Sequence, residues 1–480
     1  MPVPRALLLL ACACRADPAA EVVLPRADAV TVRPDVANVL LRRFDVALAP
    51  AADAELRCTA PTEPLEDHRL AIPGGRATVA LLGLLPRTRY RCTVVDAAGA
   101  ERWRGAFTTD PLPDGLPTLA ASGDRDRAVT DDAYVLFTTW ALGRDAGPKR
   151  AIVVDGDGRV RWYLDLDDAS TGGIAAHLVD GLLVTGGGRG SRPALRTLEG
   201  ELRYQVPPPA EPDGEGYHHE AQLTPEGWLL SLQAVRNEGP QGGFAGFRIE
   251  AWDPATDALT WSFDSQPQVD AGVLPPGGPG DYDPFHANAV TVVDDDPDGP
   301  AVWVSLRGLG SLMRIDRATG AVTGFFGPDR GYALEHVDGT AADEAEWFWG
   351  QHAPEIVGDT FTVYDNGGRR PGSRRYSRVA RYRRLGDDRA VLLWDWTEPG
   401  WYETNFGSVA AVPDSDGHVL VGTGHCGDCD PDGDTSWVAE LDPRSGEVVW
   451  RLDFTSDGHS LYRAQPLGGC EVFANRRTCP

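Results

Sequence analysis

Apolar and polar residues alternate along this chain in short runs closed off by Gly, Pro, Asp or Asn, and no stretch sustains the 3.6-residue period of a long amphipathic helix. Beyond residue 118 one pattern recurs six times: apolar-x-apolar, a turn containing an acid or a glycine, then a second apolar run that often ends in Trp. The copies are "AIVVDGDGRVRWYLDL", "ALRTLEGELRYQV", "RIEAWDPATDALTWSFD", "LMRIDRATGAVTGFFG", "VARYRRLGDDRAVLLWDW" and "VAELDPRSGEVVWRLDF". Each predicts a β-hairpin. A second strand pair precedes most of them, as in "HHEAQLTPEGWLLSLQAV", "HANAVTVVDDDPDGPAVWVSL" and "GSVAAVPDSDGHVLVGTG". Two hairpins make a four-stranded unit, and a period of about 60 residues predicts a six-bladed β-propeller over residues 118–480. Radial blades bring their inner strands to a common axis, so residues at the starts of those strands belong at one mouth of a central channel.

Residues 22–112 carry a different rhythm. Short alternating runs such as "RRFDVALAP", "ATVALLGL" and "RYRCTVVDA", broken by Pro and Gly, predict a small β-sandwich. The run "LLGLLPRTRYRCTV" resembles the loop-then-tyrosine turn of immunoglobulin-like and fibronectin-like domains. "TTDPLPDGLP", residues 108–117, reads as the linker. The fold class expected is therefore all-β, a sandwich followed by a propeller.

Composition narrows the partners. Forty-five Lys and Arg against 71 Asp and Glu leave a net charge of −26, which argues against nucleic acid or an anionic membrane surface as a partner of the whole body. An anionic substrate needs a local basic site. The N-terminus, residues 1–20, has one basic residue, Arg5, ahead of a short apolar stretch and then small residues, the pattern of an export signal. Cleavage near Ala20 is one reading; Leu9-Leu10-Ala11-Cys12 resembles a bacterial lipobox, with Cys12 as a lipid anchor, and is the other. Either places the mature protein in the periplasm or at the cell surface. Six cysteines remain, and the economical pairing in an oxidising compartment is Cys58 with Cys92, Cys426 with Cys429 and Cys470 with Cys479. A zinc site from the last four is the rival.

Four of the ten histidines occupy corresponding places beside the strand pairs that precede the repeat hairpins: His219 in "GYHHEAQL", His286 in "FHANAV", His352 in "WGQHAPEI" and His425 in "VGTGHCGDC". Equivalent positions in different blades converge on the axis. His68, His177, His336, His418 and His459 lack this placement and read as surface or loop residues, with His218 pointing away from His219. The D-x-D-x-D-G stretches at 294–300 and 428–434 have the spacing of a calcium loop but no glutamate at the twelfth position, so their acids read as solvated turns. The glycine run "TGGGRGS" follows a strand without a helix and reads as a hairpin turn rather than a phosphate cradle.

The ordered set "HHE", "FHANAV" with "VWVSLRGLGSLMRID", "WGQHAPEI", "FTVYDNGGRRPGSRRYSRVARYRR", "FGSVAAVPDSDGHVLVGTGH" and "LYRA" resembles the bacterial arylsulfate sulfotransferases that use no nucleotide sulfate donor. The resemblance implies transfer of a sulfuryl group from an aryl sulfate to a phenol through a sulfohistidine, without a cofactor. It assigns His425 as nucleophile, and His286 and His352 as the histidines that bind sulfuryl oxygens or handle the phenol proton. Arg370, after D-N-G, stabilises charge, with Arg369 its competitor. Asn288 and His219 are the substrate-binding candidates, and His459 is the fallback nucleophile. Small aryl sulfates and phenols are the implied partners, and a homodimer is compatible with it. The alternatives are a propeller that binds a ligand or partner without turnover, and a metal-dependent propeller hydrolase.

Overall fold

Six of the sheets in the computed structural model hold four consecutive antiparallel strands or their equivalent, and the turn chemistry explains their edges. The model describes residues 28–124, 126–129, 133–141, 148–166, 175–187, 191–209, 216–278, 280–372, 375–424, 436–455, 458–468 and 472–473. The export signal with Cys12, the loop containing His425, Cys426 and Cys429, the second acidic stretch at 428–434, and Cys470 and Cys479 lie outside the described residues. Among the described residues no helix is long and apolar enough to cross a membrane.

The first strand of each sheet lies innermost: Ala176–Val179, Gly216–Leu223, Ala287–Val293, His352–Val357 and Ser408–Ala411, with the C-terminal strand His459–Leu467 taking that place in the sheet of Tyr134–Ala141, Lys149–Asp155 and Val160–Leu166. These six strands touch one another in sequence, and the last touches the first, so they close a ring. Closure is reinforced twice. The C-terminal strand completes the sheet that the N-terminal part of the ring began, and Leu119–Gly123 adds a fifth, outer strand beside Glu447–Phe454. Each sheet is buried on both faces because neighbouring sheets share cores. One such core joins Leu232, Phe247 and Ile249 of one sheet to Val290, Val304 and Met313 of the next.

Ahead of the ring, two sheets, one of three strands and one of four, face each other over Phe44, Leu56, Ile72, Tyr90 and Val94. Cys58 and Cys92, direct neighbours on adjacent strands, form the expected disulfide. The Tyr90 hydroxyl accepts a hydrogen bond from the Leu85 amide (2.8 Å), fixing the turn that the sequence marked with "LLPRTRY".

His68, expected at the surface, is fully buried where the two parts meet. It bonds Glu66, whose carboxylate also accepts from the Tyr90 hydroxyl and from Arg161 (2.7 and 2.8 Å). Arg161 further holds Asp155 and the Gly83 carbonyl. Full desolvation makes this network costly to break by halves.

Candidate active site

The inner strands are not regular where they begin. Register shifts interrupt four of them, between Tyr217 and Ala221, Ala287 and Ala289, His352 and Glu355, and Leu461 and Ala464. At the same level His219, His286, Ala353 and Phe406 adopt left-handed backbone, with φ of 60°, 43°, 35° and 69°. Bulges re-aim side chains, and non-glycine residues held at positive φ cluster where function over-determines the backbone. Their common effect here is to gather histidines from three blades.

His219 and His286 lie with ring centroids 5.7 Å apart. His352 Nδ1 is 2.6 Å from Asn366 Oδ1. The Asn366 amide is fixed because its Nδ2 donates to the carbonyls of Glu403 and Phe406, both at 3.1 Å. Its oxygen therefore faces His352, Nδ1–H is the donor, and Nε2 of the neutral ring carries the lone pair. Burial first, then the charges of Arg307 and Arg463, hold the His352 imidazole well below its ordinary value despite the Asn366 bond. The residue is 2% exposed, shielded from bulk water.

His286 has a different partner. Its Nδ1 donates to Asp283 Oδ2 at 2.6 Å, and Asp283 Oδ1 also accepts from the His286 amide. Burial works to raise the Asp283 carboxyl, but the His286 hydrogen bond and charge outweigh it and keep the carboxylate ionised. His286 thus has a carboxylate acceptor where His352 has a neutral amide. His286 is also the more open ring, with a third of its side chain accessible.

Asn288 is placed next to His352 rather than His286: Nδ2 donates to the carbonyl of Gln351 (2.8 Å), the residue before that histidine. Gln351 in turn donates to Ser305 Oγ and the Ser311 carbonyl. Arg370 is committed elsewhere. Its guanidinium donates to Asp365 Oδ2 (2.6 Å) and the Ala345 carbonyl and covers the ring of Tyr376, so its charge is already matched. The neighbouring Arg369 is exposed and donates to the Gly308 carbonyl.

Arg307, which sequence reasoning passed over, lies nearer the histidines. It opens a short 3₁₀ turn, Arg307–Leu309, whose amides bond the carbonyls of His286 and Phe285, which ties it to the histidine level. One guanidinium nitrogen donates to the Thr404 carbonyl and Asn405 Oδ1, both at 3.0 Å, and the buried Nε has no partner among the described residues. Burial and the charge of Arg369 push Arg307 below its ordinary value. An anion at this place would relieve both.

Other sequence readings change. His177, expected on the surface or a loop, lies on an inner strand and bonds Glu220 of the neighbouring one (2.6 Å); His418 bonds Glu440, and the buried His459 lies 3.4 Å from the Gly115 carbonyl. The ring of His218 meets that of His219 edge-on at 4.8 Å. Of the acids at 294–300, Asp294, Asp295 and Asp298 are exposed, as a solvated turn requires, and Asp296 is the exception. Asp296 is buried and accepts from Trp303 and Arg314, while Asp294 and Asp298 pair with Arg317 and Arg384. Among the described residues no three His, Cys, Asp or Glu side chains gather as a metal site requires.

The all-β ring thus gathers His219, His286 and His352 at its inner strands, with Arg307 in a turn beside them. The chain belongs to the arylsulfotransferase (ASST) family, whose profile matches residues 126–463. That family acts on small aryl substrates, and membership supports a sulfotransferase. No curated protein matches the chain in sequence. Solved structures similar to it include TolB from Acinetobacter baumannii (12% identity, 81% of each chain covered, TM-score 0.40). The periplasmic gluconolactonase PpgL of Pseudomonas aeruginosa covers 87% of this chain and 99% of its own (14% identity, TM-score 0.36). The β-propeller domain of Cps50 (Swd1) from Myceliophteria thermophila covers 78% and 92% (10% identity, TM-score 0.32).

Proposed function

We propose that the protein is an exported six-bladed propeller with an immunoglobulin-like domain ahead of it, and that it transfers a sulfuryl group from an aryl sulfate to a phenol through a sulfohistidine. The observation that carries this reading is the His352 imidazole: neutral, dry, with Nδ1–H held by Asn366 and the Nε2 lone pair left for attack. His425 remains the competing nucleophile from sequence resemblance.

In the first half-reaction His352 Nε2 attacks sulfur. The N–S bond forms as the bond to the aryl oxygen breaks, and the electron pair leaves on the phenolate, which takes a proton from His286. In the second, an acceptor phenol gives its proton back to His286 while its oxygen attacks sulfur and the N–S bond breaks. Splitting the transfer in two is the gain of covalent catalysis. Charge spread over the sulfuryl oxygens is met by Arg307, whose unused donors and unmatched charge need no reorganisation, and by His219. Asn288 holds the Gln351 backbone and so the position of His352. Arg370 supports this arrangement through Asp365.

The test is incubation of the purified protein with 4-nitrophenyl sulfate, with and without phenol. Phenol-dependent release of nitrophenolate with ping-pong kinetics is expected. Acid-quenched protein exposed to donor alone should carry a sulfuryl mass on the His352 peptide. A label on the His425 peptide would move the nucleophile there. Absence of any transfer would favour the ligand-binding propeller, and dependence on an added divalent metal would favour the hydrolase.

A further inference from the structure

Behind His219 runs a chain of buried polar groups that the transfer steps do not use. His219 Nδ1 lies 2.7 Å from the Tyr462 hydroxyl. Arg463 Nη2 donates to that same hydroxyl (3.2 Å), its Nε faces Glu220 Oε2 (3.3 Å), and Glu220 Oε1 bonds His177 Nε2 (2.6 Å). Arg463 also donates to the carbonyls of Asn288 (3.1 Å) and Gly407 (2.9 Å), joining three blades at their inner edges. Gly407 is glycine for a reason: its φ is 97° and an added Cβ would meet the Tyr364 ring at 2.3 Å.

The order of donors fixes a proton. Burial raises the Tyr462 phenol, so its proton stays on the oxygen. Arg463 has no acceptor atom and can only donate. Among the described residues the hydroxyl has two polar partners, Arg463 and His219, and only His219 Nδ1 can accept. An arginine cannot pass a proton along, since it does not deprotonate in proteins, so the chain orients rather than conducts. Burial works to raise the Glu220 carboxyl, but His177 and Arg463 outweigh it, so an ionised Glu220 anchors the arginine from behind. Burial first, and the crowding of other imidazoles and Arg463 after it, hold the His219 imidazole well below its ordinary value.

We propose that Tyr462, backed by Arg463 and Glu220, is a positioning residue that locks His219 in its Nε2–H tautomer, so that this ring presents a proton and not a lone pair to an anionic group. The proposal rests on the sulfuryl-transfer reading for what that anion is. A lone pair there would repel the sulfuryl oxygens that His219 is meant to bind.

The tautomer can be read without turnover, by long-range proton–nitrogen correlation on full-length protein labelled with [15N]histidine at pH 7.5, with His219→Gln to assign the ring. The expected signal has a pyridine-type Nδ1 and a pyrrole-type Nε2. A pyrrole-type Nδ1, averaged shifts or a charged ring would overturn the proposal, even if sulfuryl transfer is intact. Lack of transfer with the expected tautomer would instead count against the functional reading alone. In Tyr462→Phe the His219 shifts should move toward the average of the two tautomers, and kcat for 4-nitrophenyl sulfate should fall about tenfold or more with a smaller change in KM. Unmoved shifts in that variant would overturn the role of the hydroxyl. Should Tyr462→Phe not fold, Glu220→Gln decides: a partial shift in the same direction supports the chain, and unchanged His219 shifts sink it.

Discussion

Asn366 Oδ1 meets His352 Nδ1 at 2.6 Å with the amide itself held by two backbone carbonyls, so the asparagine dictates which nitrogen of the histidine is free. A neutral acceptor orients the ring without favouring its protonated form as strongly as a carboxylate would. Asn366→Asp should therefore preserve the tautomer but raise the imidazole's proton affinity. The acid limb of the kcat/KM profile should move to higher pH, with turnover at neutral pH lower. A pH–rate profile measured with 4-nitrophenyl sulfate checks this, and an unmoved acid limb would remove His352 as the titrating nucleophile.

Arg307 and Arg370 separate two uses of a buried guanidinium. Arg307 has donors to spare and, among the described residues, no carboxylate in salt-bridge contact, so Arg307→Ala should cost about 10²-fold or more in kcat, as loss of a preorganised oxyanion donor does, with little change in folding stability. Arg370 is paired with Asp365, their side chains 2% and 0% exposed, so Arg370→Ala should leave a buried charge short of a partner and cost about 3–5 kcal/mol of stability. Arg378 also bonds Asp365 and lessens that loss. Urea unfolding and steady-state kinetics on both variants measure the two columns. A stable Arg370→Ala protein with turnover reduced about 10²-fold would restore Arg370 to the chemistry.

His219 and His352 both have folded-state values well below 6.5. Above about pH 7 these rings are neutral in folded and unfolded chains alike and contribute nothing to pH dependence. As pH falls below 6.5 the unfolded chain takes up protons that the folded one refuses, so stability is lost, by up to about 1.4 kcal/mol per pH unit for each ring. Asp283 and Glu220 titrate at lower pH in the unfolded chain, while Glu355, raised by burial, gains stability as pH falls, so the comparison with a His352 variant is what isolates the ring. Urea midpoints from about pH 7.5 to 5.5 should fall, and His352→Gln should flatten the fall. Parallel curves for the two proteins would mean that the His352 ring is solvated enough to protonate in place.

What the sequence made legible was whatever repeats. The sheets follow hairpins whose turns carry their own residues, and His219, His286 and His352 stood out because three blades begin alike. The bulges that turn these histidines inward leave no periodicity, since each is one residue out of step within a strand. Arg307 was hidden for a related reason: it sits in a turn after a strand, one arginine among many, and only the hydrogen bonds of that turn to Phe285 and His286 give it a place. The run D-N-G-G-R-R offered two arginines next to a recognisable asparagine, and proximity in sequence favoured Arg370. In space it is Asn366 that reaches His352, while Arg370 folds back onto Asp365. His68 and His177 lacked register with the others, yet each found a buried carboxylate: His68 that of Glu66, two residues back on its own strand, and His177 that of Glu220 on a neighbouring strand, a partnership set by tertiary contact alone.

Asp283 gives His286 its distinct part, and leaving-group chemistry can expose it. A phenolate with a low pKa departs without help, whereas one with a high pKa needs a proton as the bond to sulfur breaks. If the Asp283–His286 pair supplies that proton, Asp283→Asn should barely slow 4-nitrophenyl sulfate but slow phenyl sulfate by about 10²-fold, within the range for general acid catalysis. The dependence of rate on leaving-group pKa, measured over a series of substituted phenyl sulfates, should steepen in the variant. The same substitution should slow transfer to weakly acidic acceptor phenols, because the ring that gave the proton must take it back. Equal slowing across the series would instead assign Asp283 to holding the left-handed backbone at His286, through the amide that it also binds at 3.0 Å.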